Sequence, residues 1–224
     1  MSANLINLLM EATLQTLYMV AISTLIGTLV GAPLGIFLAV SRRGELMAAP
    51  AANAVLGLIV NATRSTPFII LVVAIIPFTR LVTGTSIGTN AAIVPLTVAT
   101  IPFVARLIEN AVRDVDSGLI EAARAMGATP MQIVRKVLVP EALPGIALGV
   151  TLTIVSLIGY SAMVGAVGGK GLGDLGIRYG YQRFMPEVMA AVVLILIVLV
   201  QLVQTAGEML ARRFDKKAPK NRGR

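Results

Sequence analysis

A glycine-rich segment, GGKGLGDLG, carries the patterns in this sequence that come nearest to phosphate-binding chemistry. Gly171, Gly173 and Gly176 form a GxGxxG string, which binds a dinucleotide when it follows a strand and opens a helix. A long apolar run precedes the string here, so a dinucleotide site is not indicated. Gly169–Lys170 also departs from a P-loop, because Val164 stands where the first Gly belongs. We predict a flexible loop on the outer side, without a nucleotide site.

The sequence contains no Cys and no His, which removes most catalytic and metal-binding chemistry. Without Cys there are no disulfides, thiolate metal sites or Cys-linked lipids. Without His the commonest general base and metal ligand is missing. We therefore predict no catalytic residue, no metal site and no cofactor bound by this chain itself.

Residues 121–140, EAARAMGATPMQIVRKVLVP, form a polar, basic insert in a chain that is 56% hydrophobic. Crossing a bilayer does not require such an insert, so it is expected to contact a partner. Its alanines make a slim helix that can enter a groove, the helix-in-groove mode of recognition. The residues predicted to make this contact are Glu121, Ala122, Ala123, Met126 and Gly127.

Two short helices are predicted in this insert. The first is capped by Asp116 or Ser117 and stops at Gly127, which suits a left-handed position. The second begins at Thr129–Pro130, a good cap and first-turn pair. Pro140, together with the proline four residues later, is predicted to redirect the chain into the next span.

Runs without a charged residue predict the membrane spans. Each of four runs reaches the roughly 20 residues that cross about 30 Å of hydrocarbon. They are Ala12–Ser41, Leu81–Ala105, Ala142–Gly169 and Val188–Gly207. A fifth stretch, Leu46–Thr79, is interrupted only at Arg64, which is expected at the inner interface or facing a polar interior. We predict an all-α integral membrane protein of five helices, with the N-terminus outside and the C-terminus inside.

The Lys and Arg distribution supports this topology, because 15 of the 19 basic residues lie inside and four outside, as the positive-inside rule requires. The net charge of +8 then reflects inward loops beside anionic lipid, and no nucleic acid partner is expected. We predict one transmembrane domain over residues 1–211, with a helical loop at about 114–140 between helices 3 and 4, and a basic cytoplasmic tail over 212–224.

Three groups of residues inside the spans suggest helix contacts or a pathway. Glycines at spacing four in the first span predict close helix packing, at Gly27, Gly31 and Gly35. Arg106 and Glu109 can pair on one helix face, with a gating role as the alternative. In the fourth span, Tyr160, Ser161 and Met163 are candidates for a pathway or gate around a dimer axis, and interhelical packing is the alternative.

The insert resembles the coupling loop of bacterial ABC import permeases. That pattern is EAA, three residues, Gly, nine residues, Ile, one residue, Leu and Pro. Here it reads Glu121–Ala123, Gly127, Val137, Val139 and Pro140, with Val at both apolar positions. Longer stretches are similar to the permease subunit of methionine ABC importers, namely residues 84–98, 102–112, 118–145 and 159–173.

This resemblance implies a type I ABC importer permease of the bacterial inner membrane, working by alternating access. It implies a second copy of the chain, a cytoplasmic ATPase dimer that binds ATP and Mg, an extracytoplasmic binding protein, and methionine as substrate. Another amino acid or an osmoprotectant is the alternative substrate. A channel or secondary carrier without an ATPase is an alternative class, and a non-transporting membrane anchor is a third.

Overall fold

The computed structural model describes residues 3–214, with side chains from residue 5 onward, and contains no strand within that range. Its α-helices are α1 Ala3–Val40, α2 Pro50–Ser65, α3 Phe68–Ala74, α4 Ile76–Thr83, α5 Thr89–Arg113, α6 Ser117–Ala125, α7 Pro130–Ile133, α8 Val139–Ala166, α9 Leu172–Leu175 and α10 Pro186–Phe214. Two π-helical segments, Val134–Leu138 and Gly176–Tyr181, follow α7 and α9.

Four helices in the described part of the chain are long and apolar enough to cross a membrane. They are α1, α5, the continuous helix from α7 through α8, and α10. The pair α2 and α3 bends by 104° and makes a fifth span if it is counted as one. The predicted all-α membrane fold is confirmed. Most of the predicted basic tail, residues 215–224, lies outside the described residues.

The third predicted span, Leu81–Ala105, was misplaced at both ends. The helix breaks between α4 and α5, where Gly84 and Gly88 take positive φ values of 75° and 102°. At the other end α5 continues to Arg113, well past the charge-free run. Buried Glu109 is tolerated there because arginine side chains surround it. Glycine geometry and charge pairing, rather than the charge-free length, therefore set the ends of α5.

The glycine stripe on α1 packs against α5, as predicted. A Cβ added at Gly27 would lie 2.2 Å from the Thr100 side chain, and one at Gly35 would lie 2.4 Å from the Ala105 carbonyl oxygen. Contacts therefore advance along both helices together, so α1 and α5 run parallel. Small residues at this crossing allow the backbones to approach closely.

α8 lies antiparallel between α5 and α10. Gly145 and Gly149 face Ala111 and Leu107 of α5, and Gly207 of α10 faces Thr151. The carboxyl ends of α1, α5 and α10 therefore meet the start of α8 at one end of the bundle, where α6 also packs. We call this the loop end. The other end carries α9.

The segment after α8 is packed rather than flexible, which corrects the sequence-based expectation. Leu172 and Leu175 of α9 are almost fully buried. A Cβ at Gly173 would lie 2.3 Å from Ala162 Cα, so this glycine permits direct backbone packing of the segment onto α8. Thr16 Oγ1 of α1 also accepts a hydrogen bond from Leu172 N at 2.9 Å.

The expected redirection at Pro140 and Pro144 does not occur. The helix runs without interruption from Pro130 to Ala166, through the π-helical segment Val134–Leu138. A π turn inserts one extra residue into the hydrogen-bond ladder. Pro140, which has no N–H to donate, is the second residue after this segment, where the ladder changes register. The second helix of the insert and the fourth span are therefore one continuous rod.

Candidate functional site

The insert forms a capped helix at the loop end. Asp116 caps α6, its side chain accepting a hydrogen bond from Gly118 N at 2.7 Å. Gly127 follows the helix with φ 78°, the left-handed geometry expected of it. Thr129 and Gln132 form a reciprocal capping box that opens α7. The predicted caps are confirmed, so local hydrogen bonds define both ends of this loop.

The five candidate contact residues divide between two faces of α6. Glu121 and Ala122 are exposed, as are Met126 and Gly127 just beyond the helix; Met126 is 81% exposed. Ala123 is only 3% exposed and belongs to a cluster with Ile133, Val134 and Leu138. Ala123 therefore anchors α6 on the rod, and the other four residues face away from it.

A buried carboxylate lies next to this loop. Glu109 is 1% exposed, and Arg42 and Arg106 donate hydrogen bonds to its two oxygens at 2.7 and 2.5 Å. Arg113 approaches at 3.8 Å. Arg106 also donates to the Asn61 side-chain oxygen of α2. The predicted Arg106–Glu109 pair is therefore part of a larger network that joins the end of α1 to α2 and α5.

The candidate gate residues occupy different environments on α8. Ser161 is buried and donates to the Ile158 carbonyl oxygen at 2.7 Å. Met163 is 47% exposed. Tyr160 stacks on Phe68 of α3, with ring centroids 4.4 Å apart and planes 13° apart. The structure therefore does not bring these three side chains together within one copy of the chain.

A small cavity lies at the elbow between α2 and α3, beside the Tyr160–Phe68 stack. It has a volume of about 110 Å³. Its lining is Thr63, Arg64, Thr66, Phe68, Leu71, Ala99, Phe103 and Tyr160. Arg64 borders this cavity together with Thr63 and Thr66, and its side chain is exposed at the surface of the chain.

Two larger grooves lie between α8 and α10, with volumes of about 410 and 360 Å³. Aliphatic side chains form most of their lining. Such surfaces fit lipid chains or another apolar helix face, since each lining has only one polar side chain, Thr151 in the first groove and Gln201 in the second.

At the end opposite the loop, a charged and aromatic cluster follows α9. Arg178 Nε donates to Asp174 at 2.7 Å, and this hydrogen bond raises the pKa of Arg178. Arg183 lies over the Tyr179 ring, 4.4 Å from its centroid. Phe184 is 84% exposed and has a positive φ of 54°.

Two members of the Glu109 network and the elbow cavity were not predicted from the sequence. Arg113 lies four residues after Glu109, so helical spacing could have indicated it. Arg42 lies 67 residues away, and no local pattern pairs it with Glu109. The cavity depends on the 104° bend after α2, for which the only local signal was Pro67.

The helical spans define an integral membrane protein, and the capped loop leaves residues of α6 exposed at one end of its bundle. The family model described as "Binding-protein-dependent transport system inner membrane component" matches residues 31–217. The chain belongs to this family. It is therefore a permease component of the inner membrane.

Individual relatives and a solved structure show which members of this family the chain is similar to. The chain is 56% identical over 209 residues to a probable D-methionine transport system permease protein MetI of Vibrio cholerae, covering 93% of each. It is 52% identical over 204 residues to the corresponding protein of Pasteurella multocida, covering 91% of this chain and 94% of that one. A chain of the inward-facing MetNI methionine ABC transporter matches with a TM-score of 0.94 and 50% identity, over 96% of this chain and 100% of that one. The type I importer permease fold is confirmed.

Proposed function

We propose that this chain is the permease subunit of an ATP-driven importer that moves methionine into the cytoplasm. The carrying observation is the match to the MetNI chain at 50% identity across almost the whole length. Because the names of the relatives specify D-methionine, the candidate substrates include the D enantiomer.

In this proposal α6 is the coupling helix. Its exposed residues, Glu121 and Ala122, with Met126 and Gly127 beyond it, enter a groove on a cytoplasmic ABC ATPase. Buried Ala123 acts by holding α6 on the α7–α8 rod, so that a displacement of α6 moves the rod with it. The ATPase binds ATP and Mg and performs the hydrolysis, while this chain contributes no catalytic group.

Transport then proceeds by alternating access in a homodimer. The ATPase favours different loop positions with and without ATP, so the permease populates two states. Met163, half-exposed on α8, meets its counterpart at the dimer axis and closes the pathway. Tyr160, stacked on Phe68, and buried Ser161 contribute to the pathway from within each copy. An extracytoplasmic binding protein delivers methionine to the side opposite the loop end. The basic residues 212–224, of which 212–214 continue α10, lie on the cytoplasmic side after the single domain of residues 1–211.

Reconstitution tests this proposal. Liposomes containing the chain, its cognate ATPase and binding protein should accumulate labelled methionine only with internal ATP, and unlabelled methionine should compete. Hydrolysis without methionine uptake would leave an importer of another amino acid or osmoprotectant. Methionine flux that ignores both ATP and the ATPase would instead indicate a channel or secondary carrier.

A docking variant tests the placement of the interface. Ala122→Arg adds bulk and charge on the exposed face of α6, so the ATPase should no longer co-purify. Ala123→Arg is unsuitable for this purpose because it buries a charge in the chain's own cluster. Full retention of the ATPase by Ala122→Arg would contradict the groove contact.

A further inference from the structure

We propose that the cavity at the α2–α3 elbow is a substrate site, in which Arg64 binds the carboxylate of an apolar α-amino acid. This inference rests on the proposed function and assigns to it a residue-level binding site. The cavity lies beside the middle of α5, at Ala99 and Phe103, and therefore midway between the two ends of the bundle. It opens to the surface of the chain, where Arg64 is exposed.

Arg64 places an exposed positive charge in the lining of the cavity. Among the described residues, none forms a hydrogen bond or ion pair with its guanidinium. No acidic residue lines the cavity. An arginine within a membrane span is costly unless it is paired or faces water, and such residues mark substrate paths. Its forked donors match a carboxylate in a bidentate pair.

The rest of the lining fits an amino acid with an apolar side chain. Phe68 and Tyr160 present a stacked aromatic wall, and a thioether contacts aromatic rings favourably. Thr63 and Thr66 donate their hydroxyl protons to Ile59 and Ala62 carbonyls, which leaves their oxygens able to accept from an ammonium. The cavity thus combines the charge and hydroxyl groups of α2 and the elbow with an aromatic wall.

The size of the cavity limits the ligand. About 110 Å³ is below the roughly 300 to 1,000 Å³ of pockets for drug-sized molecules. A single small solute, or its head group and first side-chain atoms, fits this space, whereas a peptide or an oligosaccharide does not. The larger grooves beside α10 offer no charge to bind a zwitterion.

Single-cysteine labelling tests the site directly, because the natural chain contains no Cys. Thr66→Cys places a thiol in the cavity lining. Ser65→Cys, one residue earlier and not in the lining, is the matched control. Each variant is reconstituted with the cognate ATPase and binding protein and labelled with a membrane-permeant fluorescent maleimide, with and without methionine, and labelling is read on the band of this chain.

We expect methionine to slow labelling of Thr66→Cys and not of Ser65→Cys. At a concentration about four times Kd, occupancy alone predicts an about fivefold slower rate. Adding Arg64→Gln should abolish the protection. 3-(Methylthio)propylamine, which lacks the carboxylate, should not protect, whereas 4-(methylthio)butanoic acid, which lacks the amine, should protect in part.

The same vesicles distinguish failure of this site from failure of the proposed function. Wild-type vesicles that import methionine while Thr66→Cys shows no protection would overturn the cavity assignment and leave the importer intact. Protection that survives Arg64→Gln would overturn the role of Arg64. Wild-type vesicles that import no methionine would overturn the proposed function, and the methionine site with it.

Discussion

The two ends of the helical bundle are joined by different kinds of contact. At the loop end, the buried Glu109 carboxylate is held by three arginine side chains from α5 and the end of α1. At the opposite end, Gly165 and Gly173 let the backbones of α8 and α9 touch. Long side chains can keep an ion pair while helices shift, whereas a backbone contact cannot. At the loop end, α1 and α5 themselves also touch, at Gly35 and Ala105. The adjustable joint there is the attachment of α2 and of the segment after α1 to α5, through Arg106 and Arg42, whereas α8 with α9 is a fixed body.

The largest loss of stability is expected from Glu109→Gln. This change leaves Arg42, Arg106 and Arg113 facing one another without a counter-charge. Breaking a buried ion pair by removing one partner costs about 3 to 5 kcal/mol, and the partial exposure of the arginines favours the lower value. Thermal unfolding of the purified protein in detergent measures the loss.

Glu208→Gln is the matched control for the charge network. Glu208 and Arg212 form an exposed pair at 3.7 Å on α10, of a kind worth about 0.3 to 0.5 kcal/mol. An equal destabilisation by both variants would show that the Glu109 network contributes no more than a surface pair.

At the opposite end, Gly173→Ala should cost less, about 1 to 3 kcal/mol, the usual range for overpacking. Its Cβ would lie 2.3 Å from Ala162 Cα, so α9 must move away from α8. Gly57→Ala is the control, since a Cβ on α2 at that position meets nothing within 4 Å. A neutral Gly173→Ala would mean that the α8–α9 contact is not fixed, and the comparison between the two ends would fail.

A smaller effect, about 1 to 2 kcal/mol, is expected from Thr16→Val. The substitution keeps the side-chain shape but leaves the buried Leu172 N–H without its acceptor. Thr205→Val, which removes only an exposed hydroxyl bonded within its own helix, should be close to neutral. Similar melting temperatures for the two variants would show that the Thr16 hydrogen bond does not stabilise the packing of α9 on α1.

Local rules predicted much of the loop end from sequence. The cap at Asp116, the left-handed Gly127 and the box at Thr129 depend on residues within four positions of each other. The close packing at the glycines of α1 could also be predicted, because helical spacing puts these glycines on one face. In each case the information lies within one element.

Contacts between distant segments could not be predicted in the same way. Nothing near Arg42 indicates a partner 67 residues away, and the glycines near α9 look like a loop until the neighbouring helix is present. The burial of Ala123 also could not be predicted, because the alanine face of α6 could have packed on this chain or on a partner. Tertiary packing decided these features.

The smallest effect on stability, together with a measurable loss of ATPase affinity, is expected from Met126→Ala. Its side chain is 81% exposed, so the free energy of unfolding should change by less than about 0.5 kcal/mol. If Met126 contributes about 1 kcal/mol of contact with the ATPase, the affinity of the permease for the ATPase falls about fivefold.

Met131→Ala, at a 52% exposed position on α7, is the matched control. Titrating the ATPase against both variants in proteoliposomes measures the difference. Equal affinities would place the docking surface elsewhere and remove the functional reason for an adjustable joint at the loop end.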